Sequence, residues 1–136
     1  MAKRIQFSSH GGPEVLEYVD YSPAEPGPQQ VRVSNKAIGL NFIDTYYRSG
    51  LYPPPALPSG LGAEGAGVVE AIGSDVKRFK VGDRVAYGSG PLGGLQRCAC
   101  VARGQPGSSA RIHQFRTGGR RDAQGPDRAI SAAPDL

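Results

Sequence analysis

Gly60-Leu61-Gly62-Ala63-Glu64-Gly65-Ala66-Gly67 places four glycines in eight residues, directly ahead of the apolar run Val68-Val69-Glu70-Ala71-Ile72. A dinucleotide fingerprint would set its glycines on a turn between a strand and a helix, aiming the helix N-terminus at a pyrophosphate. Here the glycines lead into β-branched residues and no helical period follows. They read as tight turns and close backbone packing, and the segment after them reads as a strand.

Outward from this stretch the same texture repeats. Arg4-Ile5-Gln6-Phe7 alternates, Val15-Leu16-Glu17-Tyr18-Val19 and Gln30-Val31-Arg32-Val33-Ser34 are further candidate strands, and Asp83-Arg84-Val85-Ala86-Tyr87 follows. Gly11-Gly12-Pro13, Pro26-Gly27-Pro28 and Gly82-Asp83 punctuate them as turns. Short strands at this spacing predict a mainly β fold, a closed or partly closed barrel. One segment departs from it. Phe42-Ile43-Asp44-Thr45-Tyr46-Tyr47-Arg48-Ser49 reads as a two-turn helix, with Asn41 where an N-cap would stand and Gly50 as its C′ residue. Tyr52-Pro53-Pro54-Pro55-Ala56-Leu57-Pro58 carries four prolines, which remove donors and fix φ, so it reads as an extended loop.

The chain has 136 residues, 20 of them Gly and 12 Pro, and a net charge of +4. That length fits one ordinary domain. It has no apolar run long enough to span a bilayer and no secretory pattern after Met1-Ala2-Lys3-Arg4, so a cytoplasmic protein is expected. The average hides a break after Pro91. Residues 1–91 hold nine Lys+Arg and nine Asp+Glu, all six Tyr and three of the four Phe. Residues 92–136 hold seven Arg and three Asp, with no Lys, Glu or Tyr, so the whole net charge lies there.

The first region contains His10-Gly11-Gly12-Pro13-Glu14-Val15-Leu16, then Asn35-Lys36-Ala37-Ile38-Gly39-Leu40-Asn41-Phe42-Ile43-Asp44-Thr45-Tyr46. Arg48-Ser49-Gly50-Leu51-Tyr52-Pro53, Gly60 to Val69, and Val81-Gly82-Asp83-Arg84-Val85 follow in order. Over roughly residues 3 to 93 these closely resemble the zeta-crystallin-like quinone oxidoreductases of the medium-chain dehydrogenase/reductase superfamily. The resemblance implies a GroES-like barrel over residues 1–93 that forms one wall of a cleft. The opposite wall is a Rossmann domain holding NADPH, and the reaction is hydride transfer to a quinone.

Zinc-dependent relatives place a Cys where Asn41 stands and a His where Ala63 stands. Neither replacement is a good zinc ligand, so no metal site is expected. A quinone already accepts hydride well and needs orientation and a donor for its developing oxyanion. Asn41, Tyr46 and Tyr52 are the candidate catalytic donors. The resemblance puts Phe42, Ile43, Asp44, Thr45 and Tyr46 against the cofactor. Plainer roles stand beside these: Asn41 as a helix cap, Tyr46 and Tyr52 as packing residues with wet hydroxyls, Glu64 as a structural carboxylate, and His10 as a loop residue.

The resemblance stops at Leu92-Gly93. Residues 94–136 keep no sustained period, have Phe115 as their one aromatic, and are rich in Arg, Gly, Ser, Ala and Pro. This composition predicts a largely disordered tail and no Rossmann domain. A shifted reading frame explains both the stop and the composition. Read one nucleotide later, codons for Arg116 to Gly125 can encode Glu-Gln-Ala-Ala-Ala-Val-Met-Leu-Lys-Gly. Those for Pro126 to Asp135 can encode Leu-Thr-Val-Gln-Tyr-Leu-Leu-Arg-Gln-Thr, and those for Gly94 to Arg103 can encode Ala-Tyr-Ser-Asp-Val-His-Val-Leu-Pro-Glu. Each shifted codon has its outer bases largely fixed and its middle base free. Asp122-Ala123 yields only Met or Thr, and Gln124-Gly125 only Lys or Arg. All three strings look like the family, and a single nucleotide inserted near Gly93-Gly94 suffices.

The tail's other features carry little. Cys98-Ala99-Cys100 has no second pair nearby to complete a metal site. The arginines lack interleaved aromatics and an amphipathic face, so neither specific nucleic-acid binding nor membrane binding is expected. His113 alone is not a site. The expected activity of the lineage is therefore NADPH-dependent, zinc-independent quinone reduction, with the truncated chain inactive alone. The alternatives are a non-enzymatic GroES-like binding module with a basic tail, and a fragment of an enone or alkenal reductase of the same superfamily. The expected partner is a small-molecule quinone. Family members often form homodimers through the cofactor domain, and that assembly is not carried over.

Overall fold

A computed structural model describes residues 2–88, 92–102 and 111–115. Its strands are β1 (Ala2–Phe7), β2 (Leu16–Tyr21), β3 (Gln30–Ile38), β4 (Ser59–Gly60), β5 (Gly65–Ile72), β6 (Arg84–Gly88), β7 (Cys98–Ala102) and β8 (Arg111–Phe115). One α-helix, α1 (Ile43–Ser49), lies between β3 and β4. The strands form a three-stranded sheet, β2-β1-β4, and a five-stranded sheet, β7-β3-β5-β6-β8. Paired strands are antiparallel throughout. This is the mainly β fold with a short helix that the sequence predicts.

Alternation explains the large sheet. Val31, Val33, Val69, Val85 and Val101 are each 1% exposed or less and meet in one core with Val76, Phe79, Tyr87 and Ala99. Each such valine contributes about 1.5–3 kcal/mol by leaving water. Gly67 lets β3 and β5 close up: a Cβ there would sit against the Ser34 carbonyl. Phe7 at the end of β1 and Leu61 just after β4 are also buried, at 0% and 3% exposure.

Two strands arise where composition predicts little order. β7 and β8 lie beyond Gly93, so the large sheet crosses the boundary drawn there and includes the two outer strands the sequence reading left out. The reason is chiefly backbone. The Gly93 and Gly94 N–H groups donate to the Gly62 carbonyl at 3.0 and 2.8 Å, and Leu95 N–H donates to Leu61 at 2.8 Å. Ile5 N–H donates to Leu95, Arg97 N–H to Lys3, and Asn35 N–H to Arg97. Asn35 Nδ2 donates to the Gln96 carbonyl at 2.9 Å. The Tyr21 hydroxyl donates to the Cys98 carbonyl at 2.7 Å and accepts from the Cys98 N–H at 2.9 Å. Unpaired buried backbone groups are costly, so an extended segment is drawn into such a slot. Ala99 and Val101 then fill the core at alternate positions. Residues 103–110 and 116–136, which carry most of the tail's arginines, lie outside the described residues.

Candidate functional site

Helix α1 starts later, and by other means, than the sequence suggests. Its N-cap is Phe42 with no side-chain cap bond, not Asn41. Asp44 supplies the missing cap from within: its Oδ2 accepts the Asn41 N–H at 2.9 Å, while its Oδ1 accepts the Gly62 N–H at 2.8 Å. The carboxylate is 3% exposed. It latches the segment before α1 to the glycine-rich turn before β5, and so fixes Asn41 relative to Ala63 and Glu64. The other end follows the expectation: Gly50, at φ 89°, closes the helix with its N–H on the Tyr47 carbonyl.

The exposed face of α1 is aromatic. Phe42 and Tyr46 meet edge to face with centroids 5.5 Å apart, and Tyr46 meets Tyr52 in the same way at 5.5 Å. Tyr47 closes the cluster against Tyr52 at 6.5 Å. The Tyr52 N–H donates to the Tyr46 carbonyl at 3.2 Å, which binds the proline-rich loop back onto the helix. Phe42 is 75% exposed and Tyr52 51%. Leu40, Ile43 and Leu51 extend this apolar surface. Such rings present flat apolar area with polar tips, which suits a planar conjugated ligand.

The structure thus brings Phe42, Tyr46 and Tyr52 into one cluster, with Asn41 and Ile43 as exposed chain neighbours of Phe42. Among the described residues the Tyr46 and Tyr52 hydroxyls make no protein hydrogen bond, leaving them free to donate. Thr45 is occupied locally, its Oγ1 donating to the Phe42 carbonyl at 2.6 Å. Asp44 faces inward, so its part is to hold the surface together; both its partners are backbone N–H groups, so residue types alone carry little signal of that latch. Glu64 sits over Gly39, where an added Cβ would strike its carboxylate, and its carbonyl accepts the Gly39 N–H. His10 is an exposed loop residue tied through Nδ1 to the Arg48 carbonyl at 3.3 Å.

No group of three or more His, Cys, Asp or Glu side chains is arranged for a metal among the described residues. Cys98 and Cys100 stand two residues apart on β7, and burial pushes both thiols above the usual range. They stay protonated at neutral pH and are poor nucleophiles.

Residues 27–124 match the family model described as the alcohol dehydrogenase GroES-like domain. Over 102 residues, 75% of this chain, the sequence is 81% identical to a Pseudomonas aeruginosa protein named quinone oxidoreductase. Over 93 residues it is 62% identical to Quinone oxidoreductase 1 of Escherichia coli. A Burkholderia protein named 2-haloacrylate reductase is 44% identical over 86 residues. The chain covers only 31% and 28% of the first two relatives, so it spans about a third of their length. Among solved structures, a Pseudomonas syringae quinone oxidoreductase superposes with a TM-score of 0.78 at 65% identity, covering 88% of this chain and 35% of that one. The Escherichia coli quinone oxidoreductase complexed with NADPH superposes with a TM-score of 0.74 at 53% identity, covering 81% of this chain and 32% of that one. The chain belongs to the alcohol dehydrogenase GroES-like domain family, with quinone oxidoreductases of the medium-chain superfamily as its relatives at high identity.

Proposed function

We propose that this chain is the substrate-side wall of an NADPH-dependent, zinc-independent quinone reductase. The observation that carries the reading is the exposed Phe42–Tyr46–Tyr52 cluster beside Asn41, held by the Asp44 latch on a chain so close in sequence to quinone oxidoreductases. The aromatic face fits a flat ring. Phe42, Ile43 and Tyr46 are therefore the residues to lie against a nicotinamide, with Thr45 and Asp44 supporting the helix beneath them.

When bound, NADPH supplies the hydride. The protein's own residues orient the quinone over the aromatic face and exclude water from it. Asn41 Nδ2 or the hydroxyls of Tyr46 and Tyr52 donate hydrogen bonds to the quinone oxygen as negative charge grows there. A proton from solvent completes the hydroquinone. Asn41 and Ala63 offer no thiolate or imidazole, so the polarising role a zinc ion plays elsewhere falls to these donors.

The second half of the reading concerns codons 94–135, which we take to be read one nucleotide out of phase. One wall alone does not fix a nicotinamide near a quinone, and a misplacement of about 1 Å costs on the order of a hundredfold in rate. Met1–Leu136, purified and given NADPH and a benzoquinone, is expected to consume NADPH at the uncatalysed rate. Clear turnover by this polypeptide overturns that expectation. The reading also places the protein in the cytoplasm; among the described residues no helix is long and apolar enough to cross a membrane. An activated alkene is the second substrate class, favoured by the 2-haloacrylate reductase similarity. A frame-restored enzyme that turns over 2-haloacrylate faster than benzoquinone decides for it.

A further inference from the structure

A cavity of about 320 Å³ lies where residues 95–97 bridge β1 and β3, and none of its lining residues belongs to the Phe42–Tyr46–Tyr52 cluster. The main chain builds it. The Ile5 N–H donates to the Leu95 carbonyl at 2.9 Å, the Arg97 N–H to the Lys3 carbonyl at 3.1 Å, and the Asn35 N–H to the Arg97 carbonyl at 2.8 Å. These bonds gather Lys3, Arg4 and Arg97 round an apolar lining that includes Ile5, Ile38 and Leu95. The charges there do not balance. Lys3 is answered, its Nζ 2.7 Å from Asp20 Oδ1. Among the described residues the partners of Arg4 are neutral. Its Nη2 donates to Gln6 Oε1 at 2.6 Å, its guanidinium lies 5.4 Å from the Tyr21 ring centroid, and its Nε is buried without an acceptor. Arg97 is exposed and has no ion-pair partner among the described residues. Two cations thus border the cavity without a counter-charge, and the half-buried one is poorly screened by water.

We propose that this cavity binds a small organic carboxylate with an apolar body. It depends neither on the quinone reaction nor on the frame reading, since every residue it uses is in this chain. The carboxylate answers Arg97, whose planar fork of donors matches it, and offsets the field of Arg4. The apolar body covers Ile5, Leu95, Ile38 and Tyr18; the last two leave 40% and 68% of their surface exposed. The volume is at the low end for ligand sites, about 300–1,000 Å³, so a single ring with its charged group is the expected size. A bare phosphate matches the cations but leaves the apolar lining uncovered, and a neutral ring does the reverse. Only a ligand with both parts uses the whole site.

The test titrates benzoate into ¹⁵N-labelled Met1–Leu136 at fixed pH. We expect saturable shifts at the Ile5, Leu95 and Arg97 amides and at the Asn35 side-chain amide, with weaker binding in high salt. Benzamide, which keeps the ring and drops the charge, should bind at least tenfold more weakly, and so should acetate and inorganic phosphate, which lack the ring. Arg97→Ala is an exposed change that spares the fold. It is expected to weaken benzoate binding about threefold, the scale of an exposed charge pair, and Arg97→Glu at least tenfold. No saturable shift, or shifts confined to Phe42, Tyr46 and Tyr52, overturns the proposal. So does benzamide, acetate or phosphate binding as tightly as benzoate, or an affinity that Arg97→Glu leaves unchanged.

Discussion

β3, β5 and β6 are held by what their side chains bury, whereas the segment from Gly93 to Cys98 is held mainly by what its backbone meets. β3, β5 and β6 each contribute at least one valine exposed by 1% or less. From Gly93 to Cys98, nearly every recorded bond to the rest of the protein uses a main-chain N–H or carbonyl of that segment. A slot that reads backbone accepts many sequences. A segment whose composition predicts little order therefore still supplies β7.

Substitutions sharpen that contrast. The largest effect is expected at Asn35, whose Nδ2 donates to the Tyr87 hydroxyl and to the Gln96 carbonyl. Asn35→Leu strands these acceptors and should lower the unfolding free energy by about 3 kcal/mol in urea titration. Hydrogen exchange should accelerate first at 94–98; loss of β5–β6 protection first would break the comparison. Next comes Tyr21→Phe, which removes both bonds to the Cys98 backbone and should cost about 2 kcal/mol. Val101→Ala, at the inward position of β7, should cost a similar amount, about 2 kcal/mol, by cavity formation.

Asp83 gives a smaller, pH-dependent term. Burial works to raise its carboxyl, but bonds from the Lys80 N–H and ammonium outweigh this and hold it below its ordinary value. A depressed carboxyl stabilises the fold above its unfolded-state pKa, and that stability is lost as pH falls through the folded value. Asp83→Asn should therefore cost about 1 kcal/mol at neutral pH, shrinking to nothing in acid. A loss that stays constant down to acid pH contradicts the assignment. The smallest effect is expected at exposed Arg97, where Arg97→Ala should change stability by less than about 0.5 kcal/mol. A larger loss there means that the slot reads side chains after all.

Much of the fold was legible. The valine alternation of β3 and the left-handed Gly50 are properties of short stretches, and the glycines at 60–67 behave as packing residues. β4 has only Ser59 and Gly60, too short to show a period. β7 and β8 were hidden because their pairing is set by distant partners, and their composition points to disorder. The Asn41 cap failed because Asp44, three residues on, reaches back to the same backbone. The aromatic surface was found as separate candidates; that Tyr46 bridges Phe42 and Tyr52 follows only from the loop folding onto α1.

The most direct test deletes one nucleotide at codon 94 and measures NADPH oxidation with benzoquinone by the original and the repaired products. We expect the 136-residue chain to show the background rate, and the repaired gene to read open through codon 135 and yield an active reductase. Turnover by the original chain would contradict the one-wall reading, and a stop codon soon after the deletion would contradict the slipped frame.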